Sequence, residues 1–289
     1  MFEKRETSNN GVDSLYHATD AETKRLRAQN DLMCDFARGT IRSLVYDDSL
    51  ILDVGCANGE GIMSRLWGVR FWRLLGIDSD GDAAVQADTR FGGEQCVFVE
   101  CDIFSDDFDE LMEDCLMESE REGFDLIHIS SVLLHLGNPV EALKRLHKYL
   151  APGGKILIQD EDDGVNLVYP SSKFYENAFA IWADSLEAGD RFFARKLPTY
   201  LKEAGFTNVK LEKCGVSNEG LIPEYQEALW DIYFNYHLWV TEDGEYFRHQ
   251  EETDKLVAEL KTQYDTEKAR YDAGETFISL GFFLFTAEK

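Results

Sequence analysis

Leu50-Ile51-Leu52-Asp53-Val54-Gly55-Cys56-Ala57-Asn58-Gly59-Glu60-Gly61 is an apolar run that reaches an acidic residue and then breaks into a glycine-rich turn. Without a Cβ, Gly55 and Gly59 tolerate positive φ and let backbone N–H groups come close to a ligand. The helix expected from Gly59 onward points its N-terminus at the same place. A Gly-x-x-x-Gly turn alone is only a loop signal, so its company decides. A second apolar run, Phe71 to Ile77, ends in Asp78, and a third, Cys96 to Cys101, ends in Asp102. Three successive strands that each end in a carboxylate predict one ligand laid across the carboxyl ends of a parallel sheet.

Outward from that stretch, strand and helix patterns alternate. Strands are expected at 50–54, 73–78, 96–101, 124–130 and 154–160, with helices at 59–67, 80–88, 107–118 and 139–150 between them. Such alternation predicts a doubly wound α/β fold with helices on both faces of a mostly parallel sheet. An amphipathic helix from Asp20 to Leu44 precedes the core, capped by Thr19 or Asp20. Ser171 to Glu187 reads as an aromatic-rich helix and Leu197 to Gly205 as another, closed by Gly205. Asn208 to Lys213 reads as the sixth strand and Thr276 to Thr286 as the seventh. Between them a helical stretch with a charged second half (Glu251 to Tyr271) is too structured to be a loop. The organisation expected is therefore a lead-in at 1–44, a core at 45–215 and 276–289, and a helical substrate cap at 216–275.

The ordered motifs resemble the class I S-adenosylmethionine-dependent methyltransferases, over about residues 45 to 160. That family's first loop, Asp/Glu-x-Gly-x-Gly-x-Gly, is matched by Asp53, Gly55, Ala57 and Gly59, with alanine in place of the middle glycine. The ribose-binding acid falls on Asp78 and the adenine-contacting pair on Asp102-Ile103. Leu150-Ala151-Pro152-Gly153-Gly154 matches the turn into the fifth strand. The resemblance implies the seven-stranded Rossmann-like methyltransferase sheet with a cap inserted before the last strand, and S-adenosyl-L-methionine as cofactor. It also implies cofactor contacts from Cys56, Ser79 and Ser130, and from Tyr16 and Gln29 of the lead-in, whose other reading is a helix docked on the sheet edge.

Bulk properties narrow the partners. With 55 acidic and 29 basic residues the formal net charge is −26, which argues against a nucleic-acid partner, because phosphate contacts need clustered Lys and Arg. An acid-rich surface is also common in ordinary soluble proteins; its other reading is a neutral or cationic small-molecule acceptor. The cysteines at 34, 56, 96, 101, 115 and 214 lack metal-ligand spacing and read as reduced thiols of a cytoplasmic protein. No stretch reaches the ~18 apolar residues of a membrane span, and Met1 to Asn10 has no apolar signal core.

Methyl transfer from a sulfonium is an in-line displacement that needs alignment and a water-poor site rather than a covalent nucleophile. After the fourth strand, His135 is the candidate general base; its other reading is a packed or solvated histidine. His128 lies within an apolar run and reads as a core histidine. Asp160-Glu161-Asp162-Asp163-Gly164 closes the fifth strand, either as a solvated loop or with Asp160 and Glu161 contacting an acceptor amine; no metal partner set is evident. Gly189 to Pro198 concentrates positive charge, as a structural lead-in or as a hold for an anionic group. Cap aromatics, Trp230 and Tyr233 among them, read either as core or as pocket walls suited to a flat ring or a cationic nitrogen. A nicotinamide oxidoreductase would want Gly-x-Gly-x-x-Gly directly after the first strand, which this loop lacks. The rival of a different class is a non-catalytic sensor or scaffold that binds the same cofactor.

Overall fold

The computed structural model describes residues 20–185, 189–235 and 247–289, with side chains from residue 30 onward. Helix α1 (Asp20–Leu44) leads into β1 (Leu50–Val54), α2 (Glu60–Arg65), β2 (Arg73–Asp78), α3 (Gly81–Phe91), β3 (Cys96–Glu100), α4 (Asp107–Ser119), β4 (Phe124–Ser130), α5 (Pro139–Tyr149) and β5 (Leu150–Glu161). There follow β6 (Leu167–Tyr169), α6 (Lys173–Asp184), α7 (Leu197–Glu203), β7 (Thr207–Ser217), α8 (Pro223–Tyr233), α9 (Gln250–Asp272) and β8 (Phe277–Glu288). Local chemistry marks several starts. Asp80 caps α3 by accepting the N–H groups of Asp82 and Ala83, and Asn138 caps α5, with Pro139 in its first turn.

Strands β3, β2, β1, β4 and β5 run parallel in that spatial order, and β8 returns antiparallel beside β5. Ser279 of β8 faces Leu167 of β6 and Ser217 of β7. The two must therefore flank β8 on opposite sides, with β6 continuing the line of β5. The resulting order, β3-β2-β1-β4-β5-β8-β7, is the expected mostly parallel seven-stranded sheet, extended by the short β6. Strand β7 runs on to Ser217, past the expected Lys213. Its pairing with β8 shifts register three times, and each shift disturbs the apolar alternation by which a strand is read.

Alternate residues of the strands feed two cores. Leu52, Val54, Ile127, Ile129, Ile156 and Ile158 pack on α4, α5 and α7, whereas Ile51, Leu74, Leu126 and Leu157 pack on α1, α2 and α3. A third core joins α1, α6, α8 and α9 to Ile278, Leu280 and Phe282 of β8. Because Phe282 pairs with Glu161, the last residue of β5, this first part of β8 projects past the carboxyl end of the parallel strands. The helical layer it carries sits at that edge, and it recruits α1 and α6 as well as α8 and α9 of the expected cap. Among the described residues no helix is long and apolar enough to cross a membrane.

Trp230 is the hub of the layer: it is fully buried, stacked on Phe174 with centroids 5.6 Å apart, and its indole N–H donates to the Tyr264 hydroxyl at 3.2 Å. Trp230→Ala is expected to cost about 3 to 5 kcal/mol of stability through lost burial and a residual cavity. Urea unfolding measures it, and a loss below about 1 kcal/mol would contradict the packing described.

Candidate cofactor and acceptor site

The loop after β1 is shaped by left-handed residues: Gly55 at φ 71°, Ala57 at φ 45° and Gly59 at φ 78°. The N–H groups of Gly55 and Cys56 both donate to the Ile77 carbonyl, at 2.8 and 3.0 Å, which ties the loop to β2. A Cβ on Gly55 would lie 2.2 Å from Val132 Cγ2. Glycine is thus required there by the packing of the chain itself, not only by approach to a ligand. Ala57 is exposed in a conformation that favours glycine, the residue the resembled family carries at that point. Cys56 is buried, and burial pushes its thiol pKa up, with Asp53 and Asp78 adding to the rise.

Asp78 Oδ2 accepts the Ala57 N–H at 2.7 Å and Oδ1 accepts the Asp80 N–H at 2.9 Å. Beside it Ser79 is exposed. At the end of β3, Asp102 Oδ1 accepts the Phe104 N–H at 2.8 Å in an Asx turn. Asp102 is exposed, Ile103 is buried, and Phe104 is 39% exposed beside them. Carboxylates with unused lone pairs, an apolar wall and an open glycine-type turn form the acceptor set and cradle that a ribose, an adenine and an amino-acid tail require.

Behind the loop lies a buried polar group. Asp53 Oδ1 is 2.6 Å from His128 Nδ1, and both residues are buried. Burial lowers the pKa of His128 against the pull of Asp53. The neutral ring then donates from Nδ1, and Nε2 has no partner, so the core histidine expected from sequence is only half satisfied. Arg65, also buried, donates to Ser130 Oγ at 3.1 Å and to Gln159 Oε1 at 3.4 Å. Burial lowers its pKa, with Cys34 and Asp53 opposing. Sequence reasoning missed Arg65, although its spacing from Ile62 puts both on the inward face of α2. The Cys34 thiol lies 3.6 Å from the Gly61 carbonyl and brings α1 against α2.

At the ends of β4 and β5 the acidic run is already engaged. Asp160, expected to meet an acceptor amine, is fully buried; burial and the Glu161 charge push its pKa well up, and Oδ2 has no partner. Glu161, expected in the same role, accepts from Ser131 Oγ at 2.8 Å and from Arg191 at 2.9 Å. Asp163 takes Arg191 through two bonds of 2.9 Å and also binds the Tyr233 hydroxyl. Asp162 holds Arg195, with 2.6 Å to its Nε. Burial works against the charge of Arg191, but Tyr233, Asp163 and Glu161 outweigh it and raise the pKa. The basic Gly189 to Pro198 stretch is thus the counter-charge of the acidic run, which neither segment reveals alone.

Trp230, expected as a possible pocket wall, is instead a core residue, and Tyr233 is buried with its hydroxyl in the ion cluster. His135 is exposed beside Gly189. Crowding of its ring by the surrounding protein, together with Arg191, outweighs Glu161 and lowers its pKa below 6.5. Tyr16 lies outside the described residues; Gln29 is on α1, but its side chain lies outside them.

The fold and this edge define a nucleoside-binding, doubly wound domain. A family model described as a methyltransferase domain matches residues 34–211, and the chain belongs to that family, as a class I S-adenosylmethionine-dependent methyltransferase. Over 183 residues it is 27% identical to the tRNA U34 carboxymethyltransferase of Wolinella succinogenes, covering 62% of this chain and 58% of that one. Over 113 residues it is 32% identical to phosphoethanolamine N-methyltransferase 1 of Triticum aestivum, covering 38% and 20% of the two chains. The chain spans about half the length of the curated relatives it matches. In fold it is similar to Haemonchus contortus phosphoethanolamine N-methyltransferase 2 in complex with S-adenosyl-L-methionine, at TM-score 0.51 and 17% identity, over 95% of this chain and 58% of that one.

Asp78→Ala is expected to weaken binding of S-adenosylhomocysteine by about 2 to 3 kcal/mol, the range for charge-assisted hydrogen bonds to two hydroxyls. Calorimetric titration measures it, and unchanged affinity would remove Asp78 from the site. In the same assay Ala57→Gly, which relaxes the backbone at φ 45°, is expected to bind at least as tightly as the unsubstituted protein.

Proposed function

We propose that this methyltransferase acts on a small-molecule acceptor, methylating oxygen or nitrogen by direct in-line transfer. The observation that carries the reading is the helical layer of α1, α6, α8 and α9, which stands at the carboxyl edge beside β4 and β5 and is joined to it by the bonds of Tyr233 to Asp163 and Arg191. A layer so placed suits an acceptor small enough to be enclosed with the reacting groups and shielded from water. The net charge of −26 supports the same class, since a tRNA backbone calls for clustered cations. The relatives named for a tRNA nucleoside and for phosphoethanolamine represent both acceptor classes. Six free thiols accord with a cytoplasmic setting.

Bound at this edge, S-adenosyl-L-methionine supplies a methyl group already activated by its sulfonium. Asp78 holds the ribose hydroxyls and Asp102 the adenine, while Asp53, fixed by His128, backs the turn beneath the amino-acid end. His135, neutral at and above pH 6.5 because its pKa is lowered, accepts the proton that the acceptor loses. No covalent intermediate is needed.

Methyl-labelled cofactor incubated with a deproteinised small-molecule extract, and separately with bulk tRNA, tests the acceptor class. Label is expected in small molecules, and the labelled product distinguishes O- from N-methylation. Label confined to tRNA would overturn the proposal. With the identified acceptor, His135→Ala is expected to lower kcat about a hundredfold or more without changing affinity for S-adenosylhomocysteine. With an acceptor that does not itself titrate there, the kcat of the unsubstituted protein is expected to be level above pH 6.5 and to fall below it, as the base, whose pKa is lowered, becomes protonated. An unchanged kcat in the variant would remove His135 from that role.

A further inference from the structure

Arg145, on α5, reaches the loop that follows β3. Its Nη1 donates to the Ile103 carbonyl at 2.6 Å, and its Nη2 donates to the Ser105 carbonyl at 3.3 Å and to Asp109 Oδ2 at 2.7 Å. The guanidinium carbon lies 4.8 Å from the centroid of the fully buried Phe108 ring. Asp109 is itself held by the Tyr149 hydroxyl and, at 3.1 Å, by Lys148. These bonds, Tyr149 first, then Arg145 and Lys148, keep its carboxyl ionised far below the ordinary range. Arg145 is therefore a fixed fork on a fixed base, gripping two carbonyls on either side of Phe104.

Between those carbonyls the chain makes the Asx turn that aims Asp102. One oxygen of Asp102 is spent on the Phe104 N–H, and its carbonyl takes the Ser105 N–H at 2.9 Å. The second carboxylate oxygen is left for the base of the cofactor. Its use depends on the turn holding still, because an exposed four-residue turn with only local bonds opens readily. We infer that Arg145 is a positioning residue that sets the base selectivity of the cofactor site, by locking the turn from which Asp102 accepts the exocyclic amine of adenine. The chemistry of the selectivity is direct. Adenine presents a donor to that oxygen, whereas hypoxanthine presents a carbonyl, so that two acceptors face each other in a rigid site.

The test is calorimetric titration of the full chain with S-adenosylhomocysteine and with S-inosylhomocysteine, for the unsubstituted protein, Arg145→Lys and Arg145→Met. The unsubstituted protein is expected to prefer the adenine ligand by about tenfold or more. In Arg145→Met the preference is expected to fall to about threefold or less, because affinity for the adenine ligand drops while that for the hypoxanthine ligand holds or rises. Arg145→Lys, a single point donor without the fork, is expected to fall between. If both ligands weaken equally in Arg145→Met, or neither weakens, the inference is overturned and Arg145 is a structural residue only. A missing base preference in the unsubstituted protein overturns it too. If Arg145→Met does not fold, as judged by thermal unfolding, Arg145→Gln is read by the same ratio. Failure of the unsubstituted protein to bind S-adenosylhomocysteine at all would be a separate result, against the cofactor assignment.

Discussion

The peptide between Ile77 and Asp78 holds the cofactor edge together. The Ile77 carbonyl takes the N–H groups of Gly55 and Cys56, Asp78 Oδ2 takes that of Ala57, and Oδ1 takes that of Asp80. The Asp78 carbonyl then takes the N–H of Cys101 at 2.7 Å, one residue before Asp102. One short piece of β2 thus fixes the turns after β1, β2 and β3 relative to one another, so three loops distant in sequence become a single rigid rim. A carboxylate held by two backbone donors is aimed without a counter-ion, and each oxygen keeps a further lone pair.

The edge beyond β5 is built on a different principle. There Arg191 gathers Glu161 from the end of β5, Asp163 from the turn beyond it and Tyr233 from α8, and so bolts the helical layer to the sheet. With Arg191, Glu161 and Asp163 about nine-tenths buried at their side chains, loss of the arginine would strand two carboxylates away from water, which is far costlier than losing a surface pair. The same cluster explains why an acidic run at a strand end need not be an open cation site. It is neutralised from within.

How legible each part was follows from the range of the interactions that make it. Strands β1 to β4 are local features, apolar runs with a polar stop, and form where the pattern puts them; β5 starts at Leu150, inside the expected turn, and Asp53, expected at the cofactor with Asp78 and Asp102, is instead buried against His128. Asp160 and Glu161 misled because distant elements decide their fate: β8, more than a hundred residues further along the chain, pairs beside them, and Glu161 is taken by Ser131 and Arg191. Arg191 and Arg195 look like an ordinary basic helix lead-in until the fold folds them onto acids about thirty positions earlier. Trp230 and Tyr233 share one aromatic helix face, and no local signal says whether such a face meets a ligand or other rings. Strand β6, at 3 residues, is below any periodicity. Arg145 sits among other charges on α5, a pattern that reads as a solvated face.

The central claim is that three loops form one cofactor site around Asp78. Hydrogen–deuterium exchange of the full chain with and without S-adenosylhomocysteine tests it most directly. Slowed exchange is expected at 55–59, 79–80 and 102–105 together, saturating at one ligand concentration, with α9 unchanged. Protection confined to one of these loops, or appearing only in the helical layer, would contradict it.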